Sequence, residues 1–332
     1  MKNILVTGGA GYVGSGLLQE LLSKNYKVTC VDNLKFGGES LLNIWHEKNF
    51  TFINCDINDH EKLDKILLKN SFYAVIHLAA IVGDPACKLY SDLAIKTNWD
   101  SSKHLIDKSQ STGVSKFIFA STCSNYGKMN DPKAFVDENS KLAPISLYAE
   151  LKVKFENYLL KEMKRRDGFS PTSLRFSTVY GLSPRMRFDL TVNEFTKELA
   201  LGKELVIFGK QFWRPYCHVK DFANAFITVL EAPENKVAFN VFNVGDTKEN
   251  YTKEMIVEEI KKIISNPKIK YIYKDEDPRD YRVNCDKIQK ELGFKISMTV
   301  PLGIKEIKNV IQQKLIQYPE SQKYYNIPHE ED

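Results

Sequence analysis

The first 22 residues, Met1–Leu22, "MKNILVTGGAGYVGSGLLQELL", decide the fold. Gly8, Gly9, Gly11 and Gly14 crowd into this stretch, and glycine is costly in regular structure unless the backbone needs it. Ahead of them, "NILVTG" is a short apolar run suited to a buried parallel strand. Behind them, Val13, Leu17, Leu18, Leu21 and Leu22 recur at helical spacing. The glycines therefore occupy a strand-to-helix turn. A helix start carries unpaired N–H groups and partial positive charge, and glycines there let a diphosphate reach the backbone. Taken alone, such a loop also serves plain strand-to-helix packing. The next strand, "YKVTCVDN", ends in Asp32. A carboxylate about twenty positions after the loop accepts hydrogen bonds from both hydroxyls of an adenosine ribose and repels a 2′-phosphate. The pattern reads as a site for NAD rather than NADP.

Strands and helices then alternate. "FTFINCDI", the helical "HEKLDKILLK" and "YAVIHLA" are followed by one long helical stretch from about Leu89 to Gln110, then "KFIFAST". The amphipathic "SLYAELKVKFENYLLKEMKRR" precedes "TSLRFSTVYG". Such alternation predicts an α/β fold, a doubly wound parallel sheet of Rossmann type with helices on both faces. Ligands of these sheets bind beyond the carboxyl ends of the strands, at Asp32, Asp56, Ala79, Thr122 and Ser177 here. After about Tyr180 the elements become shorter and more polar. The expected division is a dinucleotide-binding domain over 1–180 and a smaller C-terminal substrate-binding lobe over 181–318, the two exchanging segments. Residues 319–332, "PESQKYYNIPHEED", lack periodicity and are expected to fray.

Composition excludes several classes. With 332 residues, 43% hydrophobic and 27% charged, the chain reads as an ordinary globular protein with a large core. A net charge of +5, scattered along the chain, does not favour nucleic acid but suits an anionic small molecule. Cys30, Cys55, Cys87, Cys123, Cys217 and Cys285 lie far apart, without metal-ligand spacing. A reducing cytoplasm and no metal are the expectation. The nearly uncharged run "YAVIHLAAIVG" is too short to span a bilayer. The N-terminus feeds a glycine loop instead of a signal peptide.

The sharpest chemical feature is "YAELK", which sets Tyr148 and Lys152 one helical turn apart. Positions i and i+4 share a face, so phenol and ammonium converge. A tyrosine of ordinary pKa is a poor base at neutral pH, but a nearby cation favours the phenolate, which could then deprotonate an alcohol. A surface pair on an amphipathic helix is the plain alternative. In "FIFASTCSNYG", Ser121 and Thr122 end a strand, where a hydroxyl could hold a substrate oxygen; local capping is the plain alternative there.

The order of these features resembles the extended short-chain dehydrogenase/reductase family, in its nucleotide-sugar epimerase and dehydratase branch. The resemblance runs from "TGGAGYVG" to "RDYRVNCDKIQKELGF". It implies an NAD-dependent enzyme that oxidises a sugar carbon, C4 above all, of a nucleotide-activated sugar. Gly8, Gly11, Tyr12, Val13 and Gly14 match its dinucleotide loop. Asp32 and Asn33 match its ribose-binding strand end, Asp56 and Ile57 the pair beside the adenine, and Leu78, Ala79 and Ala80 the stretch flanking the dinucleotide. Asn98 matches a helix asparagine that supports the site. Thr122, Tyr148 and Lys152 match the catalytic triad, in which Lys152 also holds the nicotinamide ribose. Arg214 and Arg279 match arginines that clamp a substrate diphosphate, a task suited to guanidinium groups. Two helices, 89–110 and 146–163, match those that build the family's homodimer. A role in polysaccharide biosynthesis and a cytoplasmic location are further implications.

Departures narrow the reading. Dehydratases of this branch carry Asp-Glu directly after the threonine, where this chain has Cys123 and Ser124. Thr178 replaces the usual asparagine before "VYG", a position that touches substrate diphosphate. The segment "GLSPRMRFDLTVNEF" resembles its counterpart in GDP-heptose 4-dehydrogenases of bacterial capsule synthesis, and its Arg185 and Arg187 are candidate diphosphate ligands or solvated loop residues. A 4-epimerase is the leading expectation. A 4-dehydrogenase or ketoreductase is the second, and a non-catalytic NAD-binding scaffold the distant third. His77, His218, Cys123 and Trp213 read as structural.

Overall fold

The computed structural model describes residues 1–129, 131, 134–274 and 279–327. Its strands are β1 (Asn3–Thr7), β2 (Lys27–Asp32), β3 (Phe50–Asn54), β4 (Ala74–His77), β5 (Lys116–Thr122) and β6 (Ser170–Phe176). They continue with β7 (Thr178–Tyr180), β8 (Leu205–Phe208), β9 (Trp213–His218), β10 (Asn240–Val244), β11 (Asn250–Thr252) and β12 (Ile269–Ile272). Seven of them form one sheet in the order β10-β6-β5-β4-β1-β2-β3. All its pairings are parallel, as the alternating pattern predicts.

The strand sequences explain why both faces are covered. In β1, Ile4 and Val6 belong to one buried cluster, together with Leu17 and Leu18 of the helix Tyr12–Ser23 and Phe222 and Phe226 of the helix Val219–Glu231. Leu5 points the other way, into a cluster with Leu63, Leu105 and Phe155 from three further helices. Side chains that alternate across a strand serve two cores at once, and each such burial contributes roughly 1.5–3 kcal/mol. The strand order reverses between β1 and β4. That reversal opens a crevice at their carboxyl ends.

The second half of the chain returns to this sheet through β10 and otherwise builds smaller pieces. The strands β11-β9-β7 form one, β12-β8 another. They pack on a separate core that includes Tyr180, Phe188, Ile256 and Ile304. Tyr12 reaches into this core from the first half, its buried hydroxyl donating to the Gly181 carbonyl at 2.5 Å.

Two expectations are corrected. The single helix over 89–110 is broken. A helix starts earlier, at Asp84–Leu89 with Pro85 in its first turn, stops at Tyr90, resumes over Ser91–Ile95, widens into a π turn at Lys96–Ser101 and ends as Ser102–Ser111. Asp-Pro is a helix-start signal that the periodicity reading passed over. The expected tail is also partly bound. Tyr324 accepts a backbone bond from Phe188 at 2.9 Å, Lys197 donates to the Tyr325 hydroxyl at 2.8 Å, and Lys203 pairs with Glu320. Aromatic side chains without periodicity still found a core edge to cover; residues 328–332 lie outside the described residues. Among the described residues no helix is long and apolar enough to cross a membrane. All six cysteines are free and buried.

Candidate active site

The glycine turn is pressed into the crevice between β1 and β4. Gly8 has φ +75°, and a Cβ there would sit 2.6 Å from the backbone nitrogen of Ala79. A Cβ on Gly14 would run into the Gly8 carbonyl oxygen. Only glycine gives both the left-handed backbone and the close approach. No side chain caps the start of the helix Tyr12–Ser23, so its N–H groups face the crevice as an anion site.

Above this turn lies a cavity of about 290 Å³. Gly8, Gly11, Tyr12, Val13, Gly14, Asp32, Asn33, Asp56, Ile57, Leu78, Ala79 and Ala80 all line it. Tyr12 turns its side chain away into the second core, so what it offers the cavity is backbone. Asp32 is held by backbone N–H groups of Ala10 at 3.0 Å and Leu34 at 2.8 Å. Burial raises its pKa, and those N–H groups oppose the rise. The Asn33 amide donates to Asp56 at 2.8 Å, closing the rim. Asn98 does not line the cavity. Buried on the π turn, it exchanges hydrogen bonds with the Ile81 backbone at 2.8 and 2.9 Å, so it acts by positioning the loop after β4.

At the other end of the same cavity stand Thr122, Tyr148 and Lys152. Thr122 ends β5, and its Oγ1 accepts from the Ser124 N–H at 3.1 Å. The capping bond expected of a Ser/Thr loop is present, and it leaves the hydroxyl proton free to donate. The helix Leu147–Asn157 carries the other two; Ser146 caps it by accepting from the Ala149 N–H at 3.3 Å. Lys152 Nζ donates to the Ala120 carbonyl at 2.7 Å and lies 5.8 Å from the centre of the Tyr148 ring. Burial lowers the Lys152 pKa to about 8. Burial pushes the Tyr148 phenol well up, Cys87 and Asp84 adding to the rise and Arg187 opposing it. Desolvation, the largest influence on the phenol, thus works against the phenolate that a nearby cation favours, and Lys152 commits a hydrogen bond to the Ala120 carbonyl.

The four candidate arginines do not come together. Arg185 and Arg187 line the cavity; Arg185 lies over Phe36 at 4.4 Å, and Arg187, whose charge reaches Tyr148, is clamped by Asp189 at 2.8 and 2.7 Å. Arg214 and Arg279 stand outside it. Arg214 donates to the Trp213 carbonyl at 2.6 Å and lies over Tyr281, and Arg279 pairs with Asp84 at 2.8 Å. Thr178 is also outside; its neighbours Ser177 and Val179 line the wall instead. Phe176, stacked on Phe222 at 4.1 Å, lines the same wall.

Asp84 is a residue the sequence reading missed. It accepts from Arg279 and, at 2.6 Å, from Ser146, so it ties an arginine to the cap of the helix that carries Tyr148. The "GDP" of Gly83–Pro85, which opens its helix, was the available signal. The residues read as structural behave so. His77 is bonded at both ring nitrogens, to Thr7 at 2.7 Å and Ser102 at 2.9 Å. His218 meets Glu306 at 2.6 Å. The Cys123 thiol donates to the Arg175 carbonyl inside a small apolar cluster.

Fold and cavity together define an NAD-dependent enzyme of the extended short-chain dehydrogenase/reductase type. Residues 4–245 match the NAD dependent epimerase/dehydratase family, and the chain belongs to it. A probable UDP-arabinose 4-epimerase of Oryza sativa subsp. japonica is 31% identical over 330 residues, covering 90% of this chain and 79% of that one. The structure of UDP-glucose 4-epimerase from Thermotoga maritima, with UDP-glucose, is similar at TM-score 0.83 and 30% identity, over 94% of this chain and 99% of that one. UDP-glucuronic acid 4-epimerase from Bacillus cereus, in complex with UDP-glucuronic acid and NAD, is similar at TM-score 0.81 and 26% identity, over 94% and 99%. The residues present fit NAD: a cradle only glycine leaves open, an uncapped helix start and a carboxylate at the end of β2.

Proposed function

We propose that the chain is a nucleotide-sugar 4-epimerase. One observation carries the reading: Thr122, Tyr148 and Lys152 converge on the cavity that the glycine cradle opens. Thr122 donates to the oxygen on C4, and Tyr148 takes the proton from it. NAD, when bound, would take the C4 hydride and give it back to the other face of the ketone, and its cationic ring would favour the phenolate. Once the ketone has turned over in the cavity, Tyr148 returns the proton to the oxygen of the opposite configuration. Lys152, held to Ala120, fixes the base side of the site and is the group to hold the nicotinamide ribose. Cys123 and Ser124 offer no acid–base pair for removing water, which argues against a 4,6-dehydratase. Thr178, Arg214 and Arg279 are proposed as substrate contacts reached on closure, with the lobe 181–318 supplying most of them and 1–180 holding NAD.

The relatives act on UDP-sugars, so these are the substrates of first choice. Incubation with UDP-glucose, UDP-glucuronic acid and UDP-arabinose, followed by chromatography, should yield the C4 epimer without net NADH. The "SPRMR" segment favours a second reading, a 4-dehydrogenase; a stoichiometric rise in reduced-nicotinamide absorbance and a released ketone would establish that one instead.

A homodimer in the cytoplasm completes the proposal. Ile95 exposes an apolar side chain on the helical region expected to pair, at 41% exposure, and six free buried thiols suit a reducing compartment. Light scattering at micromolar concentration should give twice the chain mass; a monomer mass would reject the pairing.

A further inference from the structure

Two buried polar groups at the glycine end of the cavity have unmet hydrogen-bonding capacity. Arg185 is only 7% exposed, yet its Nε and one Nη find no hydrogen-bond partner among the described residues. The side-chain carbonyl oxygen of Asn326 is likewise buried without one. Buried polar atoms are overwhelmingly paired, and a buried guanidinium left unpaired is costlier still. The contrast with Arg187 is instructive. Two residues further on, that side chain is neutralised by Asp189, whereas Arg185 has no carboxylate and rests on the Phe36 ring at 4.4 Å. Burial, and then the charge of Arg187, lower the Arg185 pKa to about 10. The charge of Asp189, which is paired to Arg187, opposes that shift without supplying Arg185 a hydrogen bond.

Arg185 and Asn326 come together because the C-terminal segment is strapped over the loop 183–190. Tyr324 and Phe188 share a backbone bond and an edge-on ring contact at 5.4 Å, Tyr325 is held by Lys197, and the Asn326 N–H donates to Asp189 at 3.3 Å. Lys35, Phe36, Arg185 and Asn326 also line a second cavity beside the first, so they form the wall between the two. Lys35 and Phe36 directly follow the end of β2, where Asp32 and Asn33 lie, and Arg185 rests on Phe36.

We propose that the segment Tyr318–Asn326 is a latch over the adenosine–diphosphate half of NAD. Arg185 donates to a phosphate oxygen, Asn326 accepts from a ribose hydroxyl, and the strap must lift for the dinucleotide to leave. This reassigns Arg185 from substrate to cofactor and gives the C-terminal segment a task its sequence does not announce. The inference rests on the reading of this cavity as the NAD site. It suits an epimerase, which keeps its cofactor from one turnover to the next.

Calorimetry on cofactor-stripped full-length protein tests it, with NAD, ADP-ribose, nicotinamide mononucleotide and UDP-glucose as probes. Arg185→Gln should weaken NAD and ADP-ribose alike by roughly 10- to 100-fold, the range for a charge-assisted hydrogen bond. Arg185→Lys should recover part of that loss. Nicotinamide mononucleotide and UDP-glucose should bind as before. Asn326→Ala should speed NAD release several-fold with an unchanged melting temperature. Arg185→Gln binding ADP-ribose normally but losing UDP-glucose would overturn the latch and restore Arg185 to the substrate. An unaltered chain that binds UDP-glucose but no NAD would remove the cofactor reading itself, and the latch with it.

Discussion

The two ends of the cavity are made from different kinds of structure. The catalytic end is built from regular elements, the carboxyl end of β5 and one face of the helix Leu147–Asn157, with Lys152 tied back to Ala120 of the same strand. The glycine end begins as regularly, with β1, its turn and β2, but is finished by a loop and a strap from the far end of the chain. Chemistry that tolerates little displacement sits on the rigid elements. Grip on the cofactor, in the latch proposed above, sits partly on segments that can open.

The largest expected effect tests the rigid end. Tyr148→Phe removes the hydroxyl proposed to take the proton and keeps the ring that packs. Turnover of a UDP-sugar should fall ~100- to 10,000-fold, the usual contribution of a general base, while NAD affinity by calorimetry and melting temperature stay close to those of the parent. Lys152→Ala should lose turnover and NAD affinity together; Thr122→Ala should cost less than either. A Tyr148→Phe protein with near-normal turnover would mean that the convergence of these side chains is packing only.

The difference between the ends also explains what the sequence discloses. The parallel sheet follows from apolar runs alternating with helical spacing, and the strand ends beside the cavity follow from topology. Tyr148 and Lys152 could be paired because one helical turn joins them. Asp84 and Asn98 act through tertiary contacts, Asp84 on a cap and Asn98 on a loop backbone, and neither leaves a periodic trace. Arg185 and Asn326 are far apart in the chain, and no local rule brings them together. Nor could a sequence reveal that burial dominates the Tyr148 pKa, since desolvation is a property of the packed interior.

The next effect concerns what keeps the catalytic end rigid. Beneath it, Arg175 of β6 meets Glu156, on the helix that carries Tyr148, at 2.5 Å, with both side chains nearly inaccessible. Tyr126 accepts from the same guanidinium at 2.9 Å. Arg175→Met would leave a carboxylate buried without its partner, a loss of about 3–5 kcal/mol. Urea unfolding should register it. Should the midpoint barely move, the helix is held by its apolar face alone, and the two ends differ less than their hydrogen bonds suggest.

A smaller effect belongs to the glycine end. Asp32→Ala removes the carboxylate expected to hold both ribose hydroxyls, along with its bonds to the Ala10 N–H of the turn and the Leu34 N–H after β2. NAD affinity should fall about tenfold or more, and NADP, no longer repelled, should bind about as well as NAD. Titration of stripped protein with both dinucleotides decides it. A parent protein that prefers NADP would undo the assignment.

The smallest effect is a pH slope at the catalytic end. His77 lies under Lys152, ringed by Phe117, Phe119 and Phe155. Burial, with the Lys152 charge adding to it, lowers its pKa from an ordinary 6.5 to about 3. Between those values the unfolded chain binds a proton that the folded chain refuses. The stabilisation is complete above pH 6.5 and is lost as pH falls toward 3, at up to about 1.4 kcal/mol per pH unit. Carboxyl groups whose pKa values are raised by burial, Asp32 and Glu138 among them, act in the opposite sense at the acid end, so the slope itself must be compared between proteins. His77→Gln costs stability at every pH, because Thr7 and Ser102 lose partners, but it should flatten the dependence between pH 6.5 and 5 in thermal melts. An unchanged slope would mean that water reaches this histidine, and that the catalytic end is less tightly closed than its packing implies.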